Sequence, residues 1–177
     1  MADSPAPVNP SAALLREAAK EEELRQSIEL LFYAYRDFTA EPDAMLGKIG
    51  LGRAHHRAIY FIGRHPQITV AELLSILRIT KQSLARVLSD LLRRGYVAQQ
   101  PGTKDRRQRL LELTSSGQAL ERQLTEAQRQ RFARAYREAG PGAADAFRAV
   151  LLAMMDESAR ERMGGAPRDA GRPRRRG

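Results

Sequence analysis

The sequence predicts a mainly α-helical protein carrying one small β-hairpin, and three observations lead there. Residues Thr69 to Leu77 and Thr80 to Arg93 each place a capping threonine ahead of apolar residues at helical spacing. A glycine, a short apolar run, a Pro-Gly turn with a basic tip and a second apolar run follow. Further apolar stripes at helical spacing lie on both sides of this block, more than so small a domain needs for its own core.

The first short helix starts at Thr69. Thr69-Val70-Ala71-Glu72 is a capping box, in which the threonine hydroxyl accepts from the Glu72 backbone and the glutamate reaches back to Thr69. Leu73, Leu74, Ile76 and Leu77 supply its apolar face. The second helix starts near Thr80 and has an inward stripe of Leu84, Val87, Leu88 and Leu91. Its opposite stripe holds Gln82, Arg86, Ser89 and Arg93, with Lys81 and Ser83 beside its start. These are cations, an amide and hydroxyls, the groups that meet phosphates and base edges in a major groove. Gly95 stops the helix where a left-handed residue is needed. Residues 96–100 and 110–113 read as paired strands. The turn between them carries Lys104, Arg106, Arg107 and Arg109 against Asp105. Helix, tight connection, helix, strand, basic turn, strand is the order of a winged helix-turn-helix.

The run Thr80-Lys81-Gln82-Ser83 to Leu91, then Arg93-Arg94-Gly95-Tyr96-Val97, then Lys104-Asp105-Arg106-Arg107, then Leu113-Thr114 and Gly117 resembles the MarR family of winged-helix transcriptional regulators. The resemblance covers roughly the middle third of the chain by motif, and the flanking helices by arrangement. It implies sequence-specific binding of double-stranded DNA by a homodimer, with repression the usual outcome and an arginine of the wing in the minor groove. The residues expected at DNA are Thr80 on a phosphate, Lys81, Gln82, Ser83 and Arg86 in the major groove, and Lys104, Arg106 and Arg107 on the wing.

Composition agrees. The chain has 177 residues, a 42% hydrophobic fraction and a net charge of +9. Basic charge gathers between Arg78 and Arg94, at the wing tip, and in an arginine-rich tail. The absence of cysteine excludes disulfides and thiolate metal sites. No apolar run approaches the roughly 18 residues of a membrane span, so a cytoplasmic protein is expected. No HExxH, phosphate-binding loop, nucleophile elbow or paired-carboxylate pattern occurs, so an enzyme is not expected.

Taken in order, residues 1–11 read as a disordered tail and 12–42 as an N-terminal dimerisation helix that Pro42 ends, with a short connection to Gly50. Residues 43–114 read as the winged helix-turn-helix domain. It includes a helix from Gly50 to Arg64, with Leu51, Ala54, Ala58, Ile59 and Ile62 facing inward. Residues 115–163 read as two C-terminal dimerisation helices, one to about Glu138 and one from Ala143 to Arg162. Residues 164–177 form a basic, disordered tail. Leu24, Ile28, Leu31, Phe147, Leu151 and Met154 are the expected dimerisation residues. Twofold symmetry would set two recognition helices about 34 Å apart on a palindromic site.

No cofactor is required. His55 and His56, with Arg53 and Arg57, are candidates for a small-molecule effector site. The family resemblance places such a pocket on their helix, and haem or a metal is the variant reading. Consecutive histidines on a helix diverge by about 100°, however, and share one metal poorly. The alternative to DNA binding is a winged-helix protein-interaction module.

Overall fold

The computed structural model describes residues 10–102 and 108–164. Wing residues Lys104, Arg106 and Arg107 lie outside these, as do residues 1–9 and 165–177 of the expected tails. The elements are α1 (Pro10–Lys48), α2 (Arg53–Arg64), β1 (Ile68–Thr69), α3 (Val70–Leu77), α4 (Lys81–Arg93), β2 (Val97–Pro101), β3 (Arg109–Leu113), α5 (Ser115–Ala139), α6 (Ala143–Met154) and α7 (Glu157–Gly164). The chain divides into two units, one through Arg131 and one from Phe132 onward.

The core of the first unit is assembled from the stripes the sequence displays. Ile59 and Ile62 of α2, Leu73 of α3, Leu91 of α4, Leu111 of β3 and Leu124 of α5 are completely buried, and Leu84, Val87 and Leu88 nearly so. Burying each such side chain contributes roughly 1.5–3 kcal/mol. Both threonine caps form. Thr69 accepts from the Glu72 amide at 3.1 Å while the Glu72 carboxylate accepts from the Thr69 amide at 2.9 Å. Thr80 accepts from the Ser83 amide at 3.1 Å. Gly95 is left-handed at φ 71°.

The hairpin pairs Val97 with Leu113 and Pro101 with Arg109. A third strand joins it: β1 pairs antiparallel with β3, Ile68 opposite Leu111, in the order β1-β3-β2. Two residues are too few for a periodicity signal, so this strand is visible only through its partner.

Three expectations are corrected. Pro42 does not end the first helix, which runs unbroken to Lys48. Proline removes one backbone bond, to the carbonyl four residues back, and here the Gln128 side chain lies 3.5 Å from that Phe38 oxygen. The Pro42 ring is fully buried, which offsets the loss. The next helix begins at Arg53 rather than Gly50, because Gly50 is left-handed at φ 68° and Gly52 is extended. Ala54 is then exposed, while Leu51, Ala58, Ile59 and Ile62 are buried as expected. Finally, the expected helix from Ala143 to Arg162 is two helices. Met155 is extended at ψ 148°. Asp156 accepts from the Ala159 amide at 3.0 Å and caps a new start. Arg160 donates to Leu152 O at 2.7 Å and Ala153 O at 2.9 Å, satisfying carbonyls at the end of α6.

In the second unit, Phe132 and Tyr136 of α5 meet Phe147 of α6, with ring centroids 5.9 and 6.3 Å from Phe147. No residue of α6 is buried. Phe147, Val150 and Met154 are exposed, and Leu151 is half-buried.

Candidate nucleic-acid interface

Helix α4 is buried on one side and open on the other. With Leu84, Val87, Leu88 and Leu91 turned into the core, Lys81, Gln82, Ser83, Arg86, Ser89 and Arg93 are all exposed. Four of these, Gln82, Arg86, Ser89 and Arg93, share one face. Gln82, Ala85, Arg86, Ser89, Asp90 and Arg93 border a shallow open groove of about 510 Å³. The first turn of α4 carries no acid, so Lys81 adds to the positive end of the helix dipole, an arrangement suited to phosphate. The Thr80 hydroxyl also donates to Ser83 Oγ at 2.9 Å, which orders both side chains at that end.

The residue missing from the sequence-based set is Asp90. It is the one acid in α4, and the groove places it beside the cations. One carboxylate oxygen accepts from Arg93 and the other lies 3.4 Å from His55 Nε2. His55 Nδ1 accepts from the Gly52 amide at 3.1 Å. That bond puts the imidazole proton on Nε2, so His55 donates to Asp90. Partial desolvation acts to raise the Asp90 pKa, but the His55 hydrogen bond and the Arg93 charge outweigh it and hold it below the usual carboxylate value. A lone acid in a cationic helix stripe was the available sequence signal. Its partner sits 35 residues away, where no periodicity reaches.

Arg94, just past α4, donates to Ile49 O at 2.6 Å, so the α1–α2 junction is tied to the end of the same helix.

Of the candidate effector residues, Arg53 and Arg57 both reach Tyr35 of α1, whereas His55 turns to Asp90 of α4. Arg53 pairs with Asp43 of α1 and donates to Thr39 Oγ1 at 3.2 Å. Arg57 donates to the Tyr35 hydroxyl at 3.0 Å. His55 faces α4. His56 is buried, and desolvation is the main cause that lowers its pKa, with the charges of Asp43 and Glu121 opposing. Among the described residues there is no cluster of three His, Asp or Glu fit to hold a metal.

On α1, Leu24, Ile28 and Leu31 are 64%, 70% and 45% exposed. Leu30, Phe32 and Tyr33 are also exposed, so apolar surface extends over more than one face of this helix. No helix among the described residues is long and apolar enough to cross a membrane.

A capped helix-turn-helix, a polar-faced second helix and a three-stranded wing sheet define a winged helix-turn-helix protein of the class of DNA-binding transcriptional regulators. The MarR family model matches residues 49–108. The HTH-type transcriptional regulator PetP of Rhodobacter capsulatus is 51% identical over 160 residues, covering 90% of this chain and 94% of its own. The chain belongs to the MarR family. Its fold is also that of a MarR variant from E. coli complexed with operator DNA, with 20% identity, a TM-score of 0.59, and 76% of this chain and 96% of that one covered. Streptococcus pneumoniae FabT in complex with DNA is similar at 21% identity and a TM-score of 0.52, covering 80% and 90%.

Proposed function

We propose that the protein is a homodimeric repressor that binds a palindromic operator. The exposed face of α4 enters the major groove, and the wing, through Lys104, Arg106 and Arg107, reaches the minor groove. The observation that carries this reading is the segregation of α4: four core residues inward, and Lys81, Gln82, Ser83 and Arg86 outward beside an acid-free first turn. Arginine and glutamine can each make two bonds to a base edge, to guanine and adenine respectively.

The second copy is supported by the apolar surface of α1 and α6. Leu24, Ile28 and Phe32 of α1 are each more than 60% exposed, as is Met154 of α6, and large apolar side chains left open to water on a helix face mark an interface. Residues 12–42 and 115–163 would then serve dimerisation, and residues 43–114 DNA binding, in the cytoplasm. An effector acting at Arg53, His55, His56 and Arg57 would work by breaking the Arg53–Asp43 or His55–Asp90 contact, which join α2 to α1 and α4. Haem or a metal at His55 would have to displace both partners of its ring, which disfavours that variant.

Binding to a labelled duplex measured across salt concentrations tests the DNA reading. A steep fall of affinity with salt is expected, because neutralising phosphates releases counterions. Affinity for DNA that is absent at low salt would leave the protein-interaction alternative.

A further inference from the structure

We propose that Asp90, held in place by His55, is a specificity-determining acid of the recognition helix that positions Arg93 and opposes binding to DNA of the wrong sequence. The inference rests on the reading of α4 as the DNA-facing helix and gives Asp90 and His55 a role in DNA discrimination itself.

Three features support it. First, Asp90 lines the same groove as Gln82, Arg86, Ser89 and Arg93. A carboxylate there is repelled by every phosphate backbone regardless of sequence, so it weakens all non-specific binding. Second, its orientation is set from both sides. His55 donates to one oxygen and Arg93 to the other. The Gly52 amide fixes the imidazole as an Nε2 donor. Third, Arg93 is kept along the helix surface by this pairing. Its guanidinium must give up Asp90, or share it, to reach a phosphate or base. Only a duplex offering a matching set of groups repays that exchange. His55 touches no DNA in this scheme. It is a positioning residue, anchored to the start of α2.

The test uses the full-length protein and two duplexes, the sequence it selects from a random pool and an unrelated one. Asp90→Asn should tighten binding to the unrelated duplex by roughly threefold, the Coulomb scale of one charge at groove distance in water. The ratio of specific to non-specific affinity should fall. His55→Ala should lower the same ratio, and the double variant should lose no more than Asp90→Asn alone, since both act through one contact. Thermal unfolding of each variant is recorded alongside. Unchanged affinities in Asp90→Asn, or a parallel loss for both duplexes with a lowered melting temperature, would overturn the proposal. Additive effects in the double variant would overturn the role of His55. If the wild-type protein itself selects no sequence, the failure lies in the underlying DNA reading instead.

Discussion

The Gly117 backbone lies against the Tyr96 carbonyl so closely that a Cβ at position 117 would sit 2.0 Å from that oxygen. The same carbonyl accepts from the Thr114 amide at 3.1 Å, and the Thr114 hydroxyl accepts from the Gly117 amide at 3.1 Å. The start of α5 is thereby locked to the residue just before β2. Gly117→Ala must push these backbones apart and should cost about 1–3 kcal/mol or more, the range for overpacked sites. Denaturant unfolding checks this; a midpoint unchanged from wild type would show that α5 is not held there.

The capping box of α3 sets the entry to the helix-turn-helix. Thr69→Ala removes the acceptor for the Glu72 amide and should destabilise by about 1 kcal/mol. Thr69→Ser keeps the hydroxyl and should lie much closer to wild type. Equal losses in both would point to the threonine methyl rather than the cap.

His56 gives a pH signature. Burial lowers its pKa below 6.5, so the unfolded chain takes up a proton that the folded chain resists. The penalty is absent above the unfolded value and accrues as pH falls below about 6.5 toward the folded value. Stability should therefore drop across that window in wild type, with a shallower slope in His56→Gln. The slope of unfolding free energy against pH is the readout, so an overall offset in the variant does not confuse it. A steeper or unchanged slope in His56→Gln would show that another group titrates.

Arg86 is exposed and lines the α4 groove. Arg86→Ala should weaken binding to the selected duplex by about 1–3 kcal/mol and relax the base preference at one position. A uniform loss over all sequences would instead place Arg86 on a phosphate.

The apolar surface of α1 predicts the oligomer. Replacing Leu24 and Ile28 by Glu puts charges into the proposed interface and should convert a dimer to a monomer by light scattering. DNA affinity should then fall sharply, because two half-sites no longer bind as one unit. A wild-type monomer would remove this interface from the account.

Helix α4 was legible in the sequence because its signals are local: Thr80 caps, Leu84 to Leu91 face inward, and Gly95 turns. Thr69 with Glu72 belongs to the same class. What escaped depends on distant partners. The helix passes Pro42 with Gln128 placed at the Phe38 carbonyl, 90 residues away in the chain. β1 exists only by pairing with Leu110 and Leu111. The break at Met155 had a local sign, Asp156 three residues before Ala159, but the apolar stripe of Val150, Leu151, Met154 and Met155 masked it. Asp90 gains His55 as a partner only through the fold, 35 residues away in the chain.

The most direct measurement is selection of binding sites from a pool of random duplex DNA by the full-length protein. The account predicts an enriched palindrome whose half-sites lie about one helical turn apart, 10–10.5 base pairs centre to centre. A pool without enrichment, with only weak salt-sensitive binding, would contradict it.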